Sequence, residues 1–555
     1  MADRATAWGV KRTYTGYRGD VVTPPESTIE SIVSAMAGDR KRPPAPSLHS
    51  RHGGEGTCAP PPKRVWGWAV QAYAIRSRES WGIGDLADLR RMGRWARDCG
   101  ASVMLISPLG AQASTAHQEP CPYYSSSRRF RNTLYLRVEE IPGAKRVEAE
   151  IAPLRDAARR LNLQRHINHD AAFELKSRAL EAVYRAEPEP RGLASWVRSR
   201  GRALIDFAAF NAIEEVHGTP WRRWPAGLRH PRSAEVEHER RRLAGRVAFH
   251  EWTQFHIHRQ LGKAAAEIDL IADVPVGFAA DGFDAWRWQD LLAPGMRVGA
   301  PPDFFFPDGQ DWGMPAFDPF KLAAASFEPF VDALRGATSH AGGVRLDHVM
   351  SLWRLFWIPE GAGAPDGAYV TYPSRALLEV LVSESKRSNA FVIGEDLGLV
   401  EPSVRAAMRR RRALGYRLMW FEETPASSWP RDSVASIGTH DLPTVPGIWT
   451  LKEPDHRHHH LRDRLTALGL PDETDPVDVA VAAYEHLARA RSRIALASLE
   501  DALGVEERPN VPGTTSEWPN WRLALPQPLE DIEHAPGARR IAEAMAAARR
   551  SVPRR

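Results

Sequence analysis

Three apolar runs in this chain each end in an acid. Gly343-Val-Arg-Leu-Asp-His ends in Asp347 and His348, Phe391-Val-Ile-Gly-Glu-Asp in Glu395 and Asp396, and Val434-Ala-Ser-Ile-Gly-Thr-His-Asp in His440 and Asp441. A carboxylate at the end of a buried strand is costly to desolvate unless it is paired or used. One such acid is as readily a helix cap or structural pair as a working group; three, on three separate runs, are hard to explain that way. The chemistry that needs such a set is displacement at the anomeric carbon of a sugar. One carboxylate attacks, a protonated carboxyl donates to the leaving oxygen, and a third acid orients the ring and favours the oxocarbenium-like state. Retention of configuration requires the first two about 5–5.5 Å apart, close to the ~4.8 Å between adjacent strands. Arg345 lies two residues before Asp347 and shares its side of a strand. Its fixed charge is expected to hold Asp347 ionised as a nucleophile. Glu395 needs the opposite, a carboxyl kept protonated by an apolar or acidic setting.

Positioning those acids requires a sheet. Eight short apolar segments recur, several of them β-branched: Trp68–Ile75, Ser102–Leu109, Asp269–Val276, Gly343–Val349, Ala390–Leu397, Tyr416–Phe421, Ser433–Gly438 and Ile494–Leu499. Near-continuous apolar runs of this length suit strands buried on both faces. Helical stretches intervene, among them 249–268, with Phe249, Trp252 and Phe255 on one face, and 376–386. Eight strands alternating with helices predict a (β/α)₈ barrel. Asp347 and Glu395 then fall on its fourth and fifth strands, as neighbours. The chain divides into a small N-terminal helical element (1–39), a Pro/Gly-rich linker (40–64) expected to be mobile, the barrel (65–535), and a C-terminal helical tail (536–555) with a frayed end. Insertions at about 110–268 and 277–342 are expected to form a helical subdomain and a long ordered loop.

The motifs resemble those of a known family. Arg345-Leu-Asp-His, Gly394-Glu-Asp-Leu-Gly and Gly438-Thr-His-Asp are similar to the catalytic motifs of the 4-α-glucanotransferases, the amylomaltase or disproportionating-enzyme family of the α-amylase clan. Arg78-Glu-Ser-Trp-Gly-Ile-Gly-Asp-Leu, Pro122-Tyr-Tyr-Ser-Ser-Ser-Arg-Arg-Phe-Arg-Asn, Gly299-Ala-Pro-Pro-Asp, Gly309-Gln-Asp-Trp-Gly-Met-Pro, Asn510-Val-Pro-Gly-Thr and Asn520-Trp-Arg also resemble it, in order, from about Val65 to Ile532. The resemblance implies Asp347 as nucleophile, Glu395 as acid/base and Asp441 as transition-state stabiliser. It implies Arg345 and His440 as contacts to sugar and carboxylate, and Tyr123, Gln310 and Trp312 as donor- or acceptor-side contacts. The implied substrates are malto-oligosaccharides and α-1,4-glucans, with the covalent glucan passed to the 4-hydroxyl of another glucan and with no metal or organic cofactor. The chain departs from the family's usual pattern at Met314, at Leu442-Pro443 and at Val349-Met350-Ser351, positions that bear on subsites more than on the reaction. Long members carry a β-rich domain where this chain has only the 40–64 linker. Two rival readings use the same residues: a hydrolase of the same clan, and a non-catalytic glucan-binding barrel.

Composition narrows the remaining classes. Over 555 residues, 74 Lys and Arg face 69 Asp and Glu, and the basic residues are spread rather than gathered, which argues against a nucleic-acid partner. The runs Arg240–Arg242 and Arg409–Arg412 read as solvated helix faces. No run approaches the ~18 apolar residues of a membrane span. Met1-Ala-Asp-Arg lacks the apolar core of a secretory leader, and the three cysteines form no close-spaced pair, which together predict a cytoplasmic protein. His456-Arg-His-His-His reads as a solvated segment rather than a metal site. Asp273, Asp281 and Asp284, in or after the third strand, read as braces.

Overall fold

The computed structural model describes residues 4–44, 56–303, 306–398, 400–453, 455–514 and 516–549. Its centre is a ring of eight parallel strands: β1 (Val65–Val70), β2 (Val103–Ile106), β3 (Asp269–Val274), β4 (Gly343–Leu346), β5 (Phe391–Gly394), β6 (Gly415–Leu418), β7 (Ser433–Ser436) and β8 (Ile494–Ser498). They pair in the order β5-β4-β3-β2-β1-β8-β7-β6. The ring closes between β5 and β6, where the Gly394 N–H donates to Leu414 O at 2.8 Å and the Leu414 N–H to Val392 O at 2.9 Å. Closure leaves no free strand edge, and Ile271, Ile393, Tyr416, Leu418, Val434 and Leu496 fill the interior.

All eight predicted strands are present. The first begins at Val65 and ends at Val70 rather than running from Trp68 to Ile75. Ala72, Tyr73, Ala74 and Ile75 are apolar because they lie in a buried turn after β1, with the Ala72 N–H donating to Ser107 Oγ at 3.0 Å.

Between β2 and β3 the chain makes a helical excursion that includes His169–Ala186, Arg202–His217 and Ala244–Ala265. After β3, the stretch read as a long loop is more regular than expected. Leu292–Ala300 and Gln310–Phe317 form a hairpin, joined by Arg354–Pro359 and Ala368–Thr371 into a four-stranded antiparallel sheet. Pro294, Gly295, Gly299, Gly313 and Pro315 hid these strands, because Pro and Gly read as breakers. The strands tolerate them at two register shifts.

The N-terminal helix Glu26–Ala37 packs on this sheet, and Val10 pairs with Val370. Part of the expected linker is seated rather than mobile: the Cys58 N–H donates to Arg411 O at 2.8 Å and the Ala59 N–H to Ser385 Oγ at 2.9 Å. Residues 45–55 of that linker lie outside the described residues, as do 550–555 of the expected frayed tail. The tail helix Pro536–Arg549 ends with the Arg549 guanidinium donating to Val65 O, Ala490 O and Ser492 O at 2.7–2.8 Å.

Candidate active site

Strands β4 and β5 run in register, Leu346 beside Gly394. The next residue on each is an acid, so Asp347 and Glu395 emerge side by side at the C-terminal rim, the functional end of such barrels. The Glu395 N–H donates to Leu346 O at 3.0 Å and the Asp347 N–H to Val274 O at 3.1 Å, which continues the ladders to the acids themselves. Asp441 follows β7 by five residues. It is fixed by the Asn510 side-chain amide on Oδ1 at 2.6 Å, by His440 Nε2 at 3.2 Å from Oδ2, and by Arg508, which donates to its carbonyl at 2.8 Å. Asp347, Glu395 and Asp441 all open onto one cavity of about 660 Å³, whose lining also includes Tyr123, Gln310, Trp312, His348 and His440.

Beneath the acids runs a chain of charge and hydrogen bonds. Arg345 Nη1 sits 2.7 Å from Asp273 Oδ2 and 3.0 Å from Asp347 Oδ1. The Tyr123 hydroxyl donates to Asp273 at 2.6 Å and lies 3.4 Å from His440 Nδ1. The Tyr123 and His440 rings stack at 4.9 Å, with Trp521 against both.

The electrostatics correct one expectation. Burial raises the Asp347 carboxyl, and Asp273 and Glu395 add to the rise against the pull of Arg345, so it stands at about 6. Arg345 does not simply hold Asp347 ionised, because burial outweighs its pull and Asp273, on the same guanidinium, adds to the rise. Glu395 is raised as expected, by burial, although Arg345 and backbone N–H groups of Leu397 (2.7 Å) and His348 (2.9 Å) pull the other way. Burial also acts against Asp441, yet His440 and Asn510 hold it down at about 2. The Asp441 charge in turn raises His440 against its own burial.

Comparison with known proteins bears on this geometry. The 4-alpha-glucanotransferase family profile matches residues 70–529. The chain belongs to that family. The 4-alpha-glucanotransferase of Mycobacterium tuberculosis is 38% identical over 88% of this chain and 75% of its own length. That of Thermus thermophilus is 30% identical over 84% of this chain and 95% of its own. Amylomaltase from Corynebacterium glutamicum superposes with a TM-score of 0.84, at 25% identity, over 98% of this chain and 99% of that one. Amylomaltase from Streptococcus agalactiae, solved with acarbose, shares the fold at a TM-score of 0.73.

Of the site residues expected from the sequence, Asp347, Glu395, Asp441, Tyr123, Gln310, Trp312 and His440 line one cavity, and Arg345 lies against Asp347 beneath it. Gln310 and Trp312 reach the cavity from the hairpin; the Trp312 indole N–H donates to Gln310 Oε1 at 3.2 Å, and the ring meets His348 edge-on at 5.5 Å. His348 adopts φ +42°, a left-handed conformation unusual for a residue with a side chain and found disproportionately at working sites. Asp273 and Asp284 are braces, buried against Arg345 and against Ser127 and Arg128; Asp281 pairs with Arg222 at 2.9 Å. The His456–His460 segment is not uniformly solvated: His458 is buried, 3.4 Å from Asp455, and lines the cavity. Among the described residues no cluster of His, Cys, Asp and Glu could hold a metal ion. Asn510, Arg508 and Trp521 were missed as site residues. Asn510 and Trp521 lie in quoted motifs, but nothing in their own types pointed to the acid or the rings they touch.

Proposed function

We propose that this enzyme transfers α-1,4-glucan segments between malto-oligosaccharides by retaining double displacement, with Asp347 as nucleophile, Glu395 as acid/base and Asp441 as stabiliser. In the first step an Asp347 oxygen bonds to the anomeric carbon while the bond from that carbon to the glycosidic oxygen breaks. Glu395 gives its proton to the departing oxygen. In the second step the 4-hydroxyl of an acceptor glucan loses its proton to Glu395 and attacks the anomeric carbon, releasing Asp347 as a carboxylate. Asp441, ionised because His440 and Asn510 hold it so, faces the positive charge that develops on the ring.

The observation that carries the reading is the opposed treatment of three acids around one cavity. Asp441 is pinned as an anion, burial raises Glu395 above its ordinary value, and Asp347 stands beside a cation. The hairpin bearing Gln310 and Trp312 favours transfer over hydrolysis by occupying space that water would otherwise fill. A cytoplasmic setting accompanies the reading: Cys58, Cys99 and Cys121 are unpaired, and no described helix is long and apolar enough to cross a membrane.

Incubation with maltotriose tests the reading. Glucose plus a ladder of longer oligosaccharides, at constant reducing ends, is the expected result. Steadily rising reducing ends would make the enzyme a hydrolase, and intact maltotriose a binding protein.

A further inference from the structure

On a different face, the cleft between the helical insertion and the barrel holds a cavity of about 550 Å³ whose lining is strongly cationic. Five arginines face it: Arg129, Arg131, Arg200, Arg335 and Arg387. Only two carboxylates among the described residues pair with any of them, and both are shared. Asp332 serves Arg129 and also Arg287, while Glu384 serves Arg335 and Arg387. Arg131 and Arg200 have no carboxylate within ion-pair distance among the described residues. Arg131 donates to Gly336 O at the end of helix Glu328–Ala337, which accounts for part of its placement. Arg131 Nη1 also donates to Arg128 O at 3.5 Å, but a helix C-terminus carries only about half a negative charge, too little to neutralise two guanidinium groups.

The Arg200 guanidinium stands over the Trp196 ring, 5.1 Å from its centroid, which holds it at the cavity wall without cancelling its charge. Five guanidinium groups around one cavity with two shared carboxylates leave an excess of positive charge that suits an anion. His258 and His340, in contact at 2.9 Å, are held neutral by burial and by positive neighbours that include Arg131 and Arg200. Guanidinium forks match the oxygens of a phosphoryl group, and the cavity exceeds what one phosphate needs, falling within the range of small-molecule sites.

We propose that this cavity binds a phosphoryl dianion, either as free orthophosphate or as the ester group of a sugar phosphate, with the guanidinium groups of Arg200 and its neighbours as donors. The site is separate from the glucan cavity and shares no lining residue with it. Its ligand fastens the helices that carry Trp196, Arg200 and His258 to the barrel residues Arg335 and Arg387, so binding stabilises the folded enzyme by mass action.

The test is thermal unfolding and calorimetric titration of the whole enzyme at fixed ionic strength, with sodium phosphate, glucose 6-phosphate or sodium chloride, for the natural protein and for Arg200→Ala. Arg200 makes no ion pair among the described residues and touches only the Trp196 ring at 5.1 Å, so the variant is expected to unfold within a few degrees of the natural protein when no phosphate is added. Phosphate or glucose 6-phosphate is expected to raise the natural protein's Tm by several degrees beyond chloride, and Arg200→Ala to weaken that binding at least tenfold. If glucose 6-phosphate binds at least tenfold tighter than orthophosphate, the ester is the ligand; equal binding makes it the free anion. An equal response to all three salts, or undiminished phosphate binding by Arg200→Ala, overturns the proposal. Should Arg200→Ala unfold early, Arg387→Gln provides the same comparison.

Discussion

Asp273 and Asp347 share a single guanidinium nitrogen: Arg345 Nη1 lies 2.7 Å from the first and 3.0 Å from the second. Arg345 is paired to Asp273 in the β3–β4 register, and Asp347 stands two positions further along, just past the end of β4. Asp273 thus competes for the charge that would otherwise serve Asp347 alone and adds its own repulsion. Removing that competitor has a defined sign. Asp273→Asn is expected to lower the Asp347 pKa and move the acid limb of the kcat/KM profile below its natural position near 6. Overall activity falls as well, because an Asn amide offers one acceptor oxygen where Tyr123 and Arg345 now share two. An acid limb that stays in place would show that Asp273 does not set it.

The same carboxyl ties activity to stability. The Asp347 pKa in the folded enzyme, about 6, lies above the ordinary value of 3.8, so the folded state holds the proton more tightly than the unfolded chain. Folding is therefore disfavoured once pH exceeds both values, and that penalty vanishes below both. Asp347→Asn is expected to abolish turnover yet raise stability at pH 8, by at most about 3 kcal/mol, with the gain disappearing near pH 3.5. Thermal unfolding of both proteins at the two pH values decides this; a variant less stable at pH 8 would contradict it.

Asn510 makes a 2.6 Å bond to Asp441 from a segment 69 residues further along the chain. A hydrogen bond to a charged group contributes about 1.5–3 kcal/mol. Asn510→Ala is expected to lower kcat about tenfold to a hundredfold, with a smaller change in KM and little change in Tm. Asn510→Asp, which sets a second anion beside Asp441, is expected to be worse. Full activity in the alanine variant would remove Asn510 from the site.

Gly299 allows the hairpin strands to approach. A Cβ there would meet Gln310 O at 2.0 Å and Ile358 Cδ1 at 2.7 Å, so the strand bearing Gln310 and Trp312 must shift. Gly299→Ala is expected to cost about 1–3 kcal/mol of stability, to raise KM, and to increase reducing ends formed per glucose released as water gains access. An unchanged ratio of hydrolysis to transfer would mean that this hairpin does not exclude water.

The barrel and its three acids were legible because strands buried on both faces must be almost wholly apolar, so an acid at their ends stands out. Asp273 was visible for the same reason, as an acid inside Leu270-Ile271-Ala272-Asp273-Val274, but its effect on Asp347 was not. The strength of a shared ion pair depends on distances that spacing does not fix. The hairpin was hidden because its strands carry Pro and Gly and one of them pairs with a segment some sixty residues distant. His458 was misread because the histidine run gives no sign that one ring folds inward while its neighbours do not. Asn510 stands in a segment that resembles the family, but an amide is equally common in any loop, so its type gave no sign of the bond to Asp441.

The account rests on Asp347 forming the bond to the sugar. Glu395→Gln treated with α-maltotriosyl fluoride, which needs no acid to release fluoride, should accumulate the glycosyl-enzyme for lack of a base to activate the acceptor. Proteolysis and mass spectrometry are predicted to find the maltotriosyl mass on the peptide that contains Asp347, with fragmentation assigning it to that residue. An adduct on Asp441, Asp273 or any other acid would contradict the account.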